Sequence, residues 1–281
     1  MKRRNVIGRL FGSGGFPHRQ NVPYDGLYAQ LATARKVADY SLYAGFVFSL
    51  VLALKGDMEM VWRQLMGLLV FLALVTHFVA NAVGTTVLAP SADRQRVLGL
   101  VEDSFDSPLL DRRIAGFYDN ENLEPSLHKF LANTFQNVHE SSRILRAQTR
   151  GVVGRTAAFG VVGLVAAYWG IKDSAYAIPV LQLLLSSALM TRMIHHLRLT
   201  STLFELDEKF QLLFASAKAK GDYAQVHAAG LALAVDYQCA LSCYTEASVS
   251  SQMYHRMNDA LTQQWKVRSR DLGIDREADA G

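Results

Sequence analysis

Formal charge vanishes from four stretches of this chain, and no other feature limits its fold as severely. Tyr40 to Leu54 lies between Asp39 and Lys55, Gln64 to Ala89 holds only His77 as a titratable group, Thr156 to Ile171 lies between Arg155 and Lys172, and Ser174 to Thr191 ends at Arg192. In hydrocarbon every backbone N–H and C=O must be satisfied within the segment, which selects helices for such runs. A hydrophobic share of 50% against 19% charged residues in 281 is also too apolar for an ordinary soluble domain. The runs come in pairs, and Lys172-Asp173 reads as the tight turn of the second pair. The expected fold class is all-α: a polytopic membrane protein with four transmembrane helices in two hairpins, plus cytoplasmic helical segments.

Basic residues near the ends of the runs set the orientation. Arg35, Lys36, Arg94, Arg96, Arg143, Arg146, Arg150, Arg155, Arg192, Arg198 and Lys209 fall on one side, and only Lys55, Arg63 and Lys172 on the other. Eleven against three puts both termini and the middle segment in the cytoplasm. The expected divisions are a basic N-terminus (1–36), a first transmembrane hairpin (37–90), a cytoplasmic helical segment (91–155), a second transmembrane hairpin (156–192) and a cytoplasmic, coiled-coil-like tail (193–281). Cys239 and Cys243 make no disulfide framework and suit a reducing compartment. No cleavable signal peptide is read in the first 20 residues, so the first span serves as its own insertion signal.

The spans differ in what they carry. Ser41, Gly45 and Ser49 recur at four-residue steps in the first, and Gly160, Gly163 and Ala167 lie on one side of the third, giving helix-packing faces that let a second backbone approach closely. In the second, His77, Asn81 and Thr85 form a polar stripe in a segment otherwise suited to hydrocarbon. Two roles fit that stripe: interhelical hydrogen bonds, or the lining of a water-filled path formed on oligomerisation. Spans one and three are shorter than the roughly 20 residues a bilayer core needs. Just past the fourth, Arg192, His195 and His196 suit either a basic cytoplasmic mouth or contact with anionic lipid.

In the tail, Leu199, Leu203, Leu206, Phe210, Leu213 and Ala217 alternate four and three residues apart, predicting that span four runs on as one long helix. A break is expected at Gly221-Asp222. The next helix should present Leu231, Val235, Cys239, Cys243 and Ala247 as its packing stripe and continue through Tyr254 to Trp265. In the middle segment, helices are expected from about Asp93 to Ser104 and from Ser126 to about Arg150. The loop between them holds Phe117, Tyr118 and Asp119, a candidate partner or ligand loop, or a turn whose aromatics plug the bundle. No zinc-ligand spacing, phosphate-cradling glycine loop, nucleophile elbow or base-reading motif is present, so neither metal, cofactor, enzymatic activity nor sequence-specific nucleic-acid binding is expected.

The order of hairpin, cytoplasmic helices, hairpin and helical tail resembles the four-transmembrane effectors of bacterial antiphage loci, including those linked to cyclic-oligonucleotide synthases (CBASS) and to retrons. Gln95 to Asp111 (QRVLGLVEDSFDSPLLD), with its Phe105-Asp106 pair, and the tail from Asp236 to Trp265 are the two segments that look like theirs. The resemblance covers about residues 30 to 266 as architecture and those two segments as sequence. It implies a pore-forming or membrane-perturbing effector of the bacterial inner membrane that causes abortive infection. It also implies a homo-oligomer and a cytoplasmic defence partner, either a nucleotidyltransferase signal or a retron reverse transcriptase with its RNA–DNA complex. Two other readings are a constitutive ion channel or small transporter, which should show inverted repeats or a buried ion-binding carboxylate, and a membrane scaffold anchoring a cytoplasmic complex.

Overall fold

The computed structural model describes residues 25–54, 58–110, 118–170, 188–221, 224–244 and 251–274, and all regular structure among them is helical. The first two helices, α1 (Asp25–Leu54) and α2 (Met60–Val83), form an antiparallel hairpin. Its contact face is the small-residue one. Gly45 and Ser49 are buried, Ser41 is half-buried, and a Cβ placed on Gly45 would lie 3.3 Å from that of Ala73. Such an approach lets dispersion contacts form along the whole seam, where Ala38, Leu42 and Phe46 are also buried.

α2 buries none of its own residues, and Phe71, Leu72 and Phe78 point outward, Phe78 with 73% of its surface exposed. It continues through a π-helical turn (Gly84–Leu88) into α3 (Ala89–Phe105). Pro90 explains the turn: it has no N–H to give to the preceding turn and its ring crowds that carbonyl, so the helix widens and the Ala89 N–H reaches back to Gly84 O. The resulting rod, Met60–Phe105, is the one described helix long and apolar enough to cross a membrane, and no residue of its apolar window is buried. Asp106, at φ 51°, ends it in the left-handed conformation at the expected Asp106-Ser107-Pro108 turn.

Two long helices follow. α4 (Leu127–Gly170) starts at Ser126, whose hydroxyl accepts the Lys129 N–H at 3.2 Å, and runs 44 residues, about 66 Å. The sequence suggested an end near Arg150 before a separate span; the structure carries one helix through Gly151 and Arg155. α5 (Ala188–Lys220) likewise carries the end of the fourth apolar run into the tail, and Gly221, at φ 65°, closes it. The Lys172-Asp173 turn and positions 174–187 of the fourth run lie outside the described residues.

The core sits where α4 and α5 cross. Leu199, Leu203, Leu206, Phe210 and Ala217 are buried and Leu213 is partly buried, so the 4-3 seam packs within the chain, against α4. Phe135 of α4 lies between Phe210 and Phe214 at 5.3 and 5.6 Å, with Trp265 edge-on at 5.2 Å. Trp265 belongs to α7 (Ser251–Leu272), and α6 (Ala224–Cys243) is followed by a turn at Tyr244; the expected continuation from there, Ala247 included, lies outside the described residues. The α6 stripe is also inverted. Leu231, Val235, Cys239 and Cys243 are exposed, Val235 at 59%, while Val226, Gly230, Ala234 and Tyr237 face the core. Gly230 decides this, since its missing side chain leaves room for Leu131 of α4 where a Cβ would sit 2.6 Å from Leu131 Cδ1.

Candidate functional site

The polar stripe of α2 turns toward α1. His77 Nδ1 lies 2.8 Å from the Ala38 carbonyl, which requires the ring proton on Nδ1, and the Thr85 hydroxyl donates to its own helix at Asn81 O, 2.9 Å away. Asn81 is half-buried one turn before the π-helical turn. Within a single chain His77 therefore ties α2 to α1, while Thr85 bonds within its own helix. Gly160 of α4 is exposed with nothing within 4 Å of a built Cβ, and the side-chain surroundings of Gly163 and Ala167 lie outside the description.

Arg192, His195 and His196 are directed to three different elements and form no common mouth. Arg192 is ion-paired with Asp39 of α1, and His195 meets the Tyr244 ring edge-on at 5.6 Å. His196 is buried against α4, its Nε2 lying 3.1 Å from Leu145 O and 3.2 Å from Thr149 Oγ1. Burial pushes the His196 imidazole below its ordinary value, and the Leu145 carbonyl opposes this in part. Further along α1, Tyr28 donates to Asp93 at 3.0 Å. Asp93 faces Arg96 at 3.8 Å, and Arg96 donates to Gln238 at 2.8 Å while lying over the Tyr237 ring. The Asp93–Arg96 pair thus links α1 and α3 to α6.

Phe117 lies outside the described residues, but Tyr118, Asp119 and Asn120 are held against the bundle. Tyr118 is buried with its hydroxyl accepting from Asn137 Nδ2 at 3.1 Å, and burial raises its phenol. The Asp119 N–H donates to Gln136 Oε1 at 3.2 Å while Gln136 Nε2 donates back to the Asp119 carboxylate at 3.0 Å. Asn120 carries the network onward: its Nδ2 donates to Asn133 Oδ1 at 2.9 Å and its Oδ1 accepts from Trp265 Nε1 at 3.1 Å. Asn133 in turn donates to Asp103 of α3 at 2.8 Å. A second cluster joins α7 to α5, where Arg268 Nη1 donates to both Asp207 oxygens, Arg268 Nη2 donates to Gln211 and His139 closes the group from α4. Burial acts to raise the Asp207 carboxyl, but hydrogen bonding from His139 and the Arg268 charge outweigh it and hold it below its ordinary value.

These networks are the residues that the sequence reading missed. A signal was present: Asn133, Gln136, Asn137 and Glu140 recur three and four apart on α4, a polar stripe beside the apolar one. Among the described residues no group of His, Cys, Asp and Glu could hold a metal ion. What the arrangement does is mechanical: it fixes the loop and α7 onto α4 and α5 through directional bonds that need every partner in place. The chain matches no protein-family model, no curated protein and no solved structure.

Proposed function

We propose that this chain is a four-span inner-membrane protein with both termini in the cytoplasm, and that it is the membrane-acting effector of a bacterial antiphage defence system. In this account it oligomerises on a cytoplasmic signal and permeabilises or depolarises the membrane, aborting the infection. The observation that carries the reading is the continuity of α4 and α5. Each is a single rod with one end in the Phe135–Phe210 core and the other in an apolar run, so a change in how the bundle packs is delivered to the spans without an intervening joint. The exposed apolar window of Met60–Phe105 and the eleven-to-three split of basic residues support the membrane placement. The signal comes from a cytoplasmic partner of retron or nucleotide-synthase type, and lipid and further copies of the chain complete the assembly.

The test is to express the chain alone and with its neighbouring operon genes and to follow membrane potential after infection. Depolarisation before lysis, dependent on this chain, is expected; an unchanged potential in dying infected cells rejects the effector role.

A second reading, a membrane scaffold, has one observation in its favour: His77 is already bonded within the hairpin and needs no water-filled path. Replacing His77, Asn81 and Thr85 together by apolar residues separates the two. A scaffold keeps its function after that replacement, and a permeation path does not.

A further inference from the structure

Cysteine is among the residue types most often buried, yet both cysteines of this chain are free and exposed. Cys239 and Cys243 stand one turn apart on α6 and open into the same cleft, of about 250 Å³, between α5 and α6. Glu205 and Lys209 line it from α5, Asp236 from α6, and Tyr244 from the turn that follows. Among the described residues no third side chain joins the two thiols as a metal ligand. The reaction that two neighbouring thiols share is thiol–disulfide exchange.

Side chains four apart on a helix have their Cβ atoms about 5–6 Å apart, and a disulfide needs them at about 3.5–4.5 Å. The intact helix therefore holds the two sulfurs beside one another and keeps them from bonding. The missing movement is available because the pair occupies the last turn. Cys243 is the final helical residue, and just past it the Tyr244 N–H donates to Ala240 O at 3.1 Å. Opening a terminal turn costs far less than opening a helix interior, where the bonds on both sides would break. Tyr244 carries the consequence. Its ring meets His195 of α5 edge-on at 5.6 Å, and the next residue, His196, is bound to Leu145 of α4. Drawing Cys243 toward Cys239 moves Tyr244 off His195 and loosens α6 from the stretch of α5 that is pinned to α4.

We propose that Cys239 and Cys243 are a redox switch, which a low-molecular-weight disulfide of the glutathione type oxidises to an internal disulfide that opens the last turn of α6 and releases Tyr244 from His195. One thiolate attacks the small disulfide, forming a mixed disulfide and expelling one small thiolate. The second attacks the protein sulfur of that mixed disulfide, and the other small thiolate leaves. The protein pair gives up two electrons and two protons, and the small disulfide takes them up as two thiols. The cleft gives the oxidant room to reach the sulfurs, and the second step is intramolecular because the second thiol is already held alongside. A disulfide that distorts its helix is easily reduced, so the pair rests as thiols in a reducing cytoplasm and closes under oxidative load. That compartment rests on the membrane reading above.

The experiment exposes the full chain, purified in neutral detergent under reduction, to oxidised glutathione and reads intact mass and amide hydrogen exchange. The expected product is a monomeric chain lighter by two hydrogens, with no glutathione attached. Cys239→Ser and Cys243→Ser should each stop with one glutathione bound. Exchange across residues 240–244 should rise severalfold in the oxidised chain and return to its starting rate with dithiothreitol. The variant carrying both serines should show no change with the same oxidant. A chain that takes up two glutathiones, forms a covalent dimer or does not react overturns the proposal, and so does an internal disulfide that leaves exchange across 240–244 unaltered. None of these measurements depends on how the chain is threaded through a bilayer, so their failure leaves the effector reading standing.

Discussion

Arg268 of α7 grips Asp207 of α5 through one Nη donating to both carboxylate oxygens, at 2.9 and 3.0 Å, while its guanidinium lies 4.9 Å above the Phe135 ring of α4. One side chain thereby ties the terminal helix to both long rods of the bundle. Removing it should strand a buried carboxylate. Arg268→Met is expected to destabilise the bundle by about 3 kcal/mol, and Asp207→Asn combined with it to recover part of that loss. A double-mutant cycle on the detergent-solubilised protein measures both; additive losses would show that the pair is uncoupled.

Stability should fall in two steps on acidification. The folded-state pKa of His196 is depressed below its ordinary 6.5, so its contribution is complete above 6.5 and is lost as pH falls through the lower folded value. Asp207 is also depressed, below an ordinary 3.8, so its contribution survives to about pH 4 and is lost only in stronger acid. His196→Gln is therefore predicted to flatten the decline between pH 7 and 5 and to leave the acid step in place, as read from melting temperature against pH. An unaltered slope in that variant would contradict the assignment.

The two glycine faces should respond differently. Gly45→Val drives a branched side chain at Ala73, whose Cβ is already within 3.3 Å of the added Cβ, and should cost about 1–3 kcal/mol of hairpin stability. Gly160→Val meets nothing within 4 Å and should leave the folded monomer intact. Yield and melting temperature of the solubilised variants distinguish them, and equal losses would mean that α4 also uses its glycine face within one chain.

Trp265 reports on the loop. Trp265→Phe keeps most of the packing on Phe135 but leaves Asn120 Oδ1 without its indole donor, a loss of about 1–3 kcal/mol for a buried acceptor. Faster proteolysis within the 118–126 loop should accompany it, and a loop equally protected in this variant would show that Tyr118 and Gln136 hold it unaided.

Much of the helical architecture could be read from spacing, because spacing records local geometry. Phe210 and Leu203 are fully buried where the 4-3 pattern puts them, and Asp106 turns the chain where a Ser-Pro follows. Arg150 and Arg155 mislead as helix ends because a charged side chain does not end backbone hydrogen bonding, so α4 passes straight through them. The buried face of α6 was not legible either: a helix apolar on every side offers several stripes, and the contact of Gly230 with Leu131 that chooses among them is tertiary. The chain Asp103–Asn133–Asn120–Trp265 spans α3, the loop, α4 and α7, and only the fold brings those residues together.

Cysteine labelling in intact spheroplasts tests the central claim, that a cytoplasmic bundle is coupled to membrane hairpins. The native Cys239 and Cys243 are free and exposed, so their reaction with a membrane-impermeant maleimide reports directly on which side the bundle lies. The account predicts that they stay unlabelled until the membrane is permeabilised, whereas a cysteine introduced as Glu59→Cys, with both native cysteines replaced by serine, is labelled at once. Labelling of Cys239 or Cys243 in intact spheroplasts, or protection of position 59 in them, would contradict it.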